Sequence, residues 1–380
     1  MTMRLATTAI HVGQDPDPVT GATVPPIHVT STYTQASPGV HKGFEYSRTA
    51  NPTRIALEKC LAALEGGEAA TAFPSGLAAT TALFANLRPS DSVVSFGDVY
   101  GGTYRLLEKV FRPWGLDARY TDDPAPEKFD ALIDKTTKLI WLETPTNPLL
   151  RVIDVAAIAE VARARGVKLA VDNTFATPAL QQPLRLGADY VVHSSTKYLG
   201  GHSDVIGGAV VCKRAADAEP VAVYLNSAGS CPGPFDVYLV HRGIKTLAVR
   251  MDAHCHNAFA LAEHLVGHPA LARVVYPRLI DHPDHALAEK QMRGGGGIVT
   301  IVFAGGFSAA KRFCERVKVF SLAESLGGVE SLVNHPAIMT HASIPKEVRE
   351  ARGITDGLVR LSVGIEDVQD LVEDIDQAIG

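Results

Sequence analysis

The chain has 380 residues, of which 46% are apolar and 20% charged, and it carries a formal net charge of −5. A chain this long outgrows one small core, so two domains with accessory segments are expected of an ordinary globular protein. The composition excludes a polycation for nucleic acid, and no run of Lys or Arg forms a phosphate-tracking stripe.

The N-terminus lacks the apolar core of a signal peptide, and no stretch is apolar for long enough to span a bilayer. Cys60, Cys212, Cys231, Cys255 and Cys314 are odd in number, scattered and without C-x-x-C spacing, which fits a reduced, cytoplasmic protein with no disulfide framework. Cys231, between Ser230 and Pro232, is read as a bystander thiol near the mouth of the site described below.

Residues 1–50 are rich in Pro, Thr and Gly and show little periodicity. Such an arm lacks the apolar residues for its own core and is expected to lie against the body of its subunit or against a neighbour. At Asn51-Pro52-Thr53 the pattern changes to a helix, with Asn as cap, Pro in the first turn, Leu57, Leu61 and Leu64 on one face, and a stop at Gly66-Gly67. Strands are predicted at Ser92–Phe96, Lys138–Leu142, Val167–Val171 and Tyr190–His193, with an Ala-rich helix from Asp154 to Gly166 between the second and third. Apolar strands alternating with helices predict a parallel sheet covered on both faces over residues 51–250. Beyond residue 250 the order becomes helix (Met251–Val266), strand (Gly297–Phe303), helix (Ser308–Val317) and helix (Glu366–Ile379), a smaller α+β C-terminal domain over 251–380.

Chemistry is concentrated after the buried strands. His193-Ser194-Ser195-Thr196-Lys197 follows one of them, and ligands bind at the carboxyl ends of strands in open α/β sheets. Lys197 is either a surface lysine on a polar turn or a desolvated amine able to attack a carbonyl. Asp172 ends another strand and either caps the next element or faces a cofactor's pyridine nitrogen. Ser75-Gly76 opens an Ala-rich helix, as a simple cap or as an anion site for a phosphate. There is no Walker or G-x-G-x-x-G spacing, so a nucleotide is not the favoured anion.

Together, Tyr46-Ser47-Arg48, Asn51-Pro52-Thr53, Ser75-Gly76-Leu77, Tyr100-Gly101-Gly102-Thr103, Glu143-Thr144-Pro145-Thr146-Asn147-Pro148, Asp172-Asn173-Thr174, Ser194-Ser195-Thr196-Lys197 and Arg360-Leu361-Ser362-Val363-Gly364 resemble the Cys/Met-metabolism family of pyridoxal-phosphate enzymes. The resemblance runs over nearly the whole chain, and the family has the aspartate-aminotransferase fold. It implies pyridoxal 5'-phosphate joined to Lys197 as a Schiff base, with Asp172 on the pyridine nitrogen and Tyr100 stacked on the ring. It implies that Ser75, Gly76, Leu77, Ser194 and Thr196 surround the phosphate, and that Tyr46 and Arg48 reach the phosphate of a neighbouring subunit in a homotetramer. Asn147, Arg360, Ser325 and Arg105 are implied to bind substrate, and Glu45 and Glu324 stand where lyases of the family have carboxylates suited to the distal ammonium of cystathionine.

The resemblance therefore implies a small-molecule enzyme, first a cystathionine γ-lyase and alternatively a cystathionine γ-synthase. Methionine γ-lyases typically carry a cysteine where this chain has Gly102, and the family's sulfhydrylases tend to be longer. A metal protein is weighed on His254, His256, His264 and His268, followed by His282 and His285; His254 and His256, two apart, share no helical face, and no metal is expected. A catalytically dead homologue is opposed by the presence of every chemical residue in the motif set.

Overall fold

The computed structural model describes residues 3–340 and 346–380. Its first layer is a seven-stranded sheet of β1 (Ala69–Phe73), β2 (Ser92–Phe96), β3 (Asp117–Thr121), β4 (Thr137–Glu143), β5 (Lys168–Asp172), β6 (Tyr190–His193) and β7 (Gly208–Cys212). The order is β1-β7-β6-β5-β4-β2-β3. All pairs from β6 through β3 are parallel, and β7 runs antiparallel to both β6 and β1. Val94, Ile140, Leu169, Val171 and Val191 pack on one face, Val93, Leu139, Trp141, Ala170 and Val192 on the other, and all are buried. That two-sided burial is why these strands read as near-continuous apolar runs.

The four predicted strands stand within about a residue of their expected bounds. The other three were not signalled: β1 is Ala-rich, with little intrinsic strand preference, and it is held by its ladder to β7. The helix Pro52–Glu65 begins as predicted, with the Asn51 side chain accepting from the N–H groups of Thr53 and Arg54, and it ends on left-handed Gly66. Asp154 and Gly166 likewise bracket the helix Val155–Arg165.

The N-terminal arm departs from expectation in one respect. Leu5–His11 is helical and packs on Pro52–Glu65, burying Thr8 and Ala9; seven residues are too few to show a periodic signal. The rest of the arm is irregular, with Val19 88% and Val29 77% exposed. It is pinned at its end by buried Arg54, which donates to the carbonyls of Ser47 (3.0 Å) and Thr49 (2.7 Å).

The second layer is a five-stranded sheet of β8 (Leu271–Val275), β9 (Ile298–Phe303), β10 (Ser321–Leu322), β11 (Leu332–Asn334) and β12 (Leu358–Ser362), ordered β10-β11-β12-β9-β8. The helices Gly306–Arg316 and Val368–Ile379 cover it through Phe313, Leu371 and Ile375. The long helix leading into it spans Leu247–Leu265 and starts four residues before the predicted Met251. Its N-cap residue, Thr246, makes no capping bond and instead donates its hydroxyl to the Gly243 carbonyl at 3.2 Å. Among the described residues no helix is long and apolar enough to cross a membrane.

Candidate active site

The parallel strands end side by side, and their last residues are chemical. β4 ends at Glu143 and β5 at Asp172, in register with each other, and β6 ends at His193. Just beyond these ends lies a cavity of about 760 Å³, walled on its far side by residues 323–332 and Arg360 from the second layer. Neither sheet forms this cavity alone.

Lys197 lies in the turn after β6 and reaches the cavity, where its Nζ donates to Ser325 Oγ at 2.9 Å. Burial, with the charge of Arg360 second, lowers its pKa from an ordinary 10.5 to about 8. The structure thus decides between the two readings of this lysine: it is a desolvated amine. Ser325 has a left-handed backbone (φ 83°), and its carbonyl accepts from Arg360 Nη2 at 2.7 Å. One strained residue therefore spaces the amine from the guanidinium.

Two carboxyls face the cavity side by side. Burial, then the charge of Asp172, pushes Glu143 up to about 8. Burial also raises Asp172, opposed by hydrogen bonds from Thr174 and by the charges of His193 and Lys197. Two like charges on neighbouring strand ends disfavour each other's ionisation, and the Thr174 hydrogen bonds with the charges of His193 and Lys197 favour the charged form of Asp172. Glu143 also accepts from the backbone N–H of Tyr100 (2.6 Å), Thr103 Oγ1 (2.8 Å) and Trp141 Nε1 (3.2 Å). It thereby fixes the start of the helix Gly101–Leu106 and the position of Tyr100 on the cavity wall. Its role was missed in the sequence because a carboxylate inside a strand-to-turn motif carries no mark of what it will touch.

Gly102 has a steric reason to lack a side chain. A Cβ there would stand 2.3 Å from the Tyr100 ring. Burial raises the pKa of the Tyr100 phenol.

The opposite end of the cavity is cationic. Arg360, on β12, is 2% exposed and donates through Nη1 to Asn147 Oδ1 at 3.0 Å. Its Nε has no partner, and no carboxylate pairs with it among the described residues. Burial lowers its pKa to about 10. A buried guanidinium with an unpartnered Nε has the geometry to receive a carboxylate.

At the remaining side, the helix Gly76–Phe84 points its first turn at the cavity, with Ser75 Oγ accepting from Ala78 N at 3.1 Å. The amides of Gly76 and Leu77 precede the first intrahelical bonds and are available to an anion. A Cβ on Gly76 would meet Ser194 Cβ at 2.7 Å, so glycine allows the two walls to close on a small group. Thr196 lines the same wall, its hydroxyl bonded to the Gly207 backbone in both directions (3.2 and 3.1 Å).

A family described as Cys/Met metabolism PLP-dependent enzyme matches residues 6–380. The chain belongs to this family. It is 55% identical over 379 residues to a cystathionine gamma-synthase of Mycobacterium tuberculosis (99% of this chain, 96% of that protein). It is 51% identical over 375 residues to a cystathionine beta-lyase of Coxiella burnetii (98% and 97%). It superposes with TM-score 0.96 and 45% identity on a crystal structure of cystathionine gamma-lyase from Lactobacillus plantarum complexed with L-serine, covering 99% and 98% of the two chains. The fold is thus that of the family's pyridoxal-phosphate enzymes.

The cavity's donor set fits pyridoxal phosphate: a half-buried amine of lowered pKa, a strand-end carboxylate, and a glycine-lined helix start for a phosphate. The structure gathers Ser75, Gly76, Leu77, Tyr100, Asn147, Asp172, Ser194, Thr196, Lys197, Glu324, Ser325 and Arg360 on its walls. Four predicted site residues stand elsewhere in the single chain. Tyr46 and Arg48 are exposed on the arm, with Arg48 over the Tyr46 ring (5.3 Å) and its Nε donating to Asn226 Oδ1 at 3.3 Å. Glu45, also on the arm, pairs with His41 at 3.2 Å. Arg105 is exposed on the Tyr100 helix and acts on that phenol only through its charge. Cys231 is half-buried and does not line the cavity. The histidines weighed for a metal are dispersed: His254 bonds the Val363 carbonyl (2.7 Å) and His264 pairs with Asp376 (2.7 Å). Glu330, hydrogen-bonded by Ser203, adds a cavity acid that the sequence reading did not single out.

Proposed function

We propose that the cavity binds L-cystathionine and cleaves it at the γ-carbon, releasing cysteine, 2-oxobutyrate and ammonia. The observation that carries this reading is the placement of Glu324, whose charge acts on both Lys197 and Arg360 and which shares the cavity wall with Glu330. A substrate with an α-carboxylate for Arg360 and a second ammonium for these acids meets complementary charge within one cavity.

In this reading Lys197 would carry the cofactor, Asp172 would pair with its ring nitrogen, and Tyr100 would pack on its ring. Ser75, Gly76, Leu77, Ser194 and Thr196 would hold its phosphate. Bound pyridoxal phosphate supplies the electron sink that makes the hydrogens on substrate Cα and Cβ removable. Arg360 and Asn147 grip the α-carboxylate and so fix Cα next to Lys197. Lys197 Nζ, with a pKa of about 8, is matched to moving protons at Cα and Cβ near neutrality. The Tyr100 phenol, raised by burial, keeps its proton and is poised to give it to the sulfur leaving Cγ.

A second reading, γ-synthase, is favoured by the 55% identity to the Mycobacterium tuberculosis protein. The purified enzyme offered cystathionine alone should release 2-oxobutyrate and cysteine. Net cystathionine formation from O-acylated homoserine and cysteine, without cleavage, would establish the synthase instead. Pyruvate and homocysteine would mark cleavage on the other side of sulfur.

We also propose that the arm serves a neighbouring copy, in a homotetramer built from pairs that share sites. The exposed apolar residues of the arm and the position of Tyr46 and Arg48 outside their own chain's cavity support it. Arg48→Ala is expected to weaken cofactor retention, and mixing it with Lys197→Ala subunits should restore part of the activity. A fully active monomer would refute the shared site. A reducing, cytoplasmic setting suits five free cysteines.

A further inference from the structure

Behind the cavity lies a polar pair that the reaction described above does not use. Glu65, the last residue of the helix Pro52–Glu65, is 0% exposed. Its Oε1 lies 2.6 Å from His193 Nε2, in a ring 1% exposed, and accepts from Asn173 Nδ2 at 2.8 Å. Glu65 Oε2 and His193 Nδ1 have no hydrogen-bond partner. His193 is the one titratable group bonded to Glu65 among the described residues.

The placement of this pair bears on the site. Asn173 follows Asp172 directly, and His193 precedes Ser194 directly. β5 and β6 are neighbours, with Asp172 opposite Val192, so Asp172 and His193 end adjacent strands. A single carboxylate oxygen therefore ties together the side chains next to two cavity residues. A carboxylate taken wholly out of water needs a counter-charge, and only the imidazole is there to provide it.

We propose that Glu65 and His193 form an ion pair that positions and polarises Asp172, with His193 as the positive group that keeps Asp172 a carboxylate toward the cofactor's ring nitrogen. The proposal rests on the assignment of Asp172 to that nitrogen. The other titratable groups acting on Asp172 are Glu143 on β4, whose pKa burial raises to about 8, and Lys197, whose amine the cofactor would take up. His193 is thus the persistent positive neighbour. A merely structural network would hold the helix to the sheet and leave the cofactor's electronics alone.

The test reads the pH midpoint of the visible absorbance of the lysine-linked cofactor. A proton on the ring nitrogen disfavours one on the linked lysine nitrogen, so weakening Asp172 should raise that midpoint. Glu65→Gln is expected to raise it by about one unit and to lower kcat about tenfold or more, with KM little changed because Arg360 and Asn147 are untouched. The double variant Glu65→Gln/His193→Gln, which leaves no unpaired charge, should show the same shift. The unaltered holoenzyme, labelled with ¹⁵N-histidine, should show an imidazolium signal that the Glu65→Gln variant lacks. A wild-type midpoint in either folded variant, or no imidazolium signal, overturns the proposal. Asp172→Asn separates the two levels: if it leaves the midpoint unmoved, the assignment of Asp172 has failed; if it moves the midpoint and the Glu65 variants do not, only the ion pair has.

Discussion

Lys197→Ala is expected to abolish turnover, lowering kcat by at least about 10³-fold, and to remove the visible band that borohydride bleaches in the wild type. The argument is geometric before it is chemical. The amine stands in the cavity with its Nζ 2.9 Å from Ser325 Oγ, next to buried Arg360, and both burial and that charge disfavour its protonated form. A pKa lowered from 10.5 to about 8 gives a neutral fraction at pH 7 about 300-fold larger than for a solvated lysine. Loading of apoenzyme with pyridoxal phosphate should therefore speed up with pH to about 8 and then level off, as read by stopped-flow absorbance. A plateau only above pH 10 would show that the lysine is solvated, and retained turnover in Lys197→Ala would remove the mechanism's centre.

The second large effect is expected at Arg360. Arg360→Met removes the proposed carboxylate receptor while nearly preserving side-chain volume. Two charge-assisted hydrogen bonds contribute about 3–6 kcal/mol, so kcat/KM should fall by roughly 10²–10⁴, mostly through KM. Stability should move the other way or not at all. The guanidinium is buried with no carboxylate partner among the described residues, so Met in its place should leave the melting temperature at or above that of the wild type. Arg360→Lys keeps the charge but loses the fork and should recover only part of the activity. An unchanged KM for the amino-acid substrate in Arg360→Met would place the carboxylate site elsewhere.

Much of this was legible in residues. Asn51 and Gly66 bracket a helix because their side chains, or the lack of one, solve the local backbone problem of starting and stopping it. The strands that end in Glu143, Asp172 and His193 are apolar on both faces, and that signal needs no partner to be read. β1 gave no such signal, because Ala69–Phe73 becomes a strand through its pairing with β7. The short helix Leu5–His11 was invisible for the related reason that its packing, not its periodicity, holds it.

The sequence by itself determined the chemistry: Lys197, Asp172, Ser75-Gly76 and Arg360 stand in motifs whose order over the chain is specific enough to name the cofactor. What it left open was which groups touch. Only the tertiary structure placed Arg360 of the second layer against Asn147 and Ser325 and put Glu143 under Tyr100. Only the fold, too, closed the Glu65–His193 pair across 128 residues and kept Glu45, Tyr46 and Arg48 out of their own chain's cavity. The reason is physical: propensities and caps act over a few neighbouring residues, whereas burial, pKa and charge pairing depend on what distant segments bring within a few ångströms.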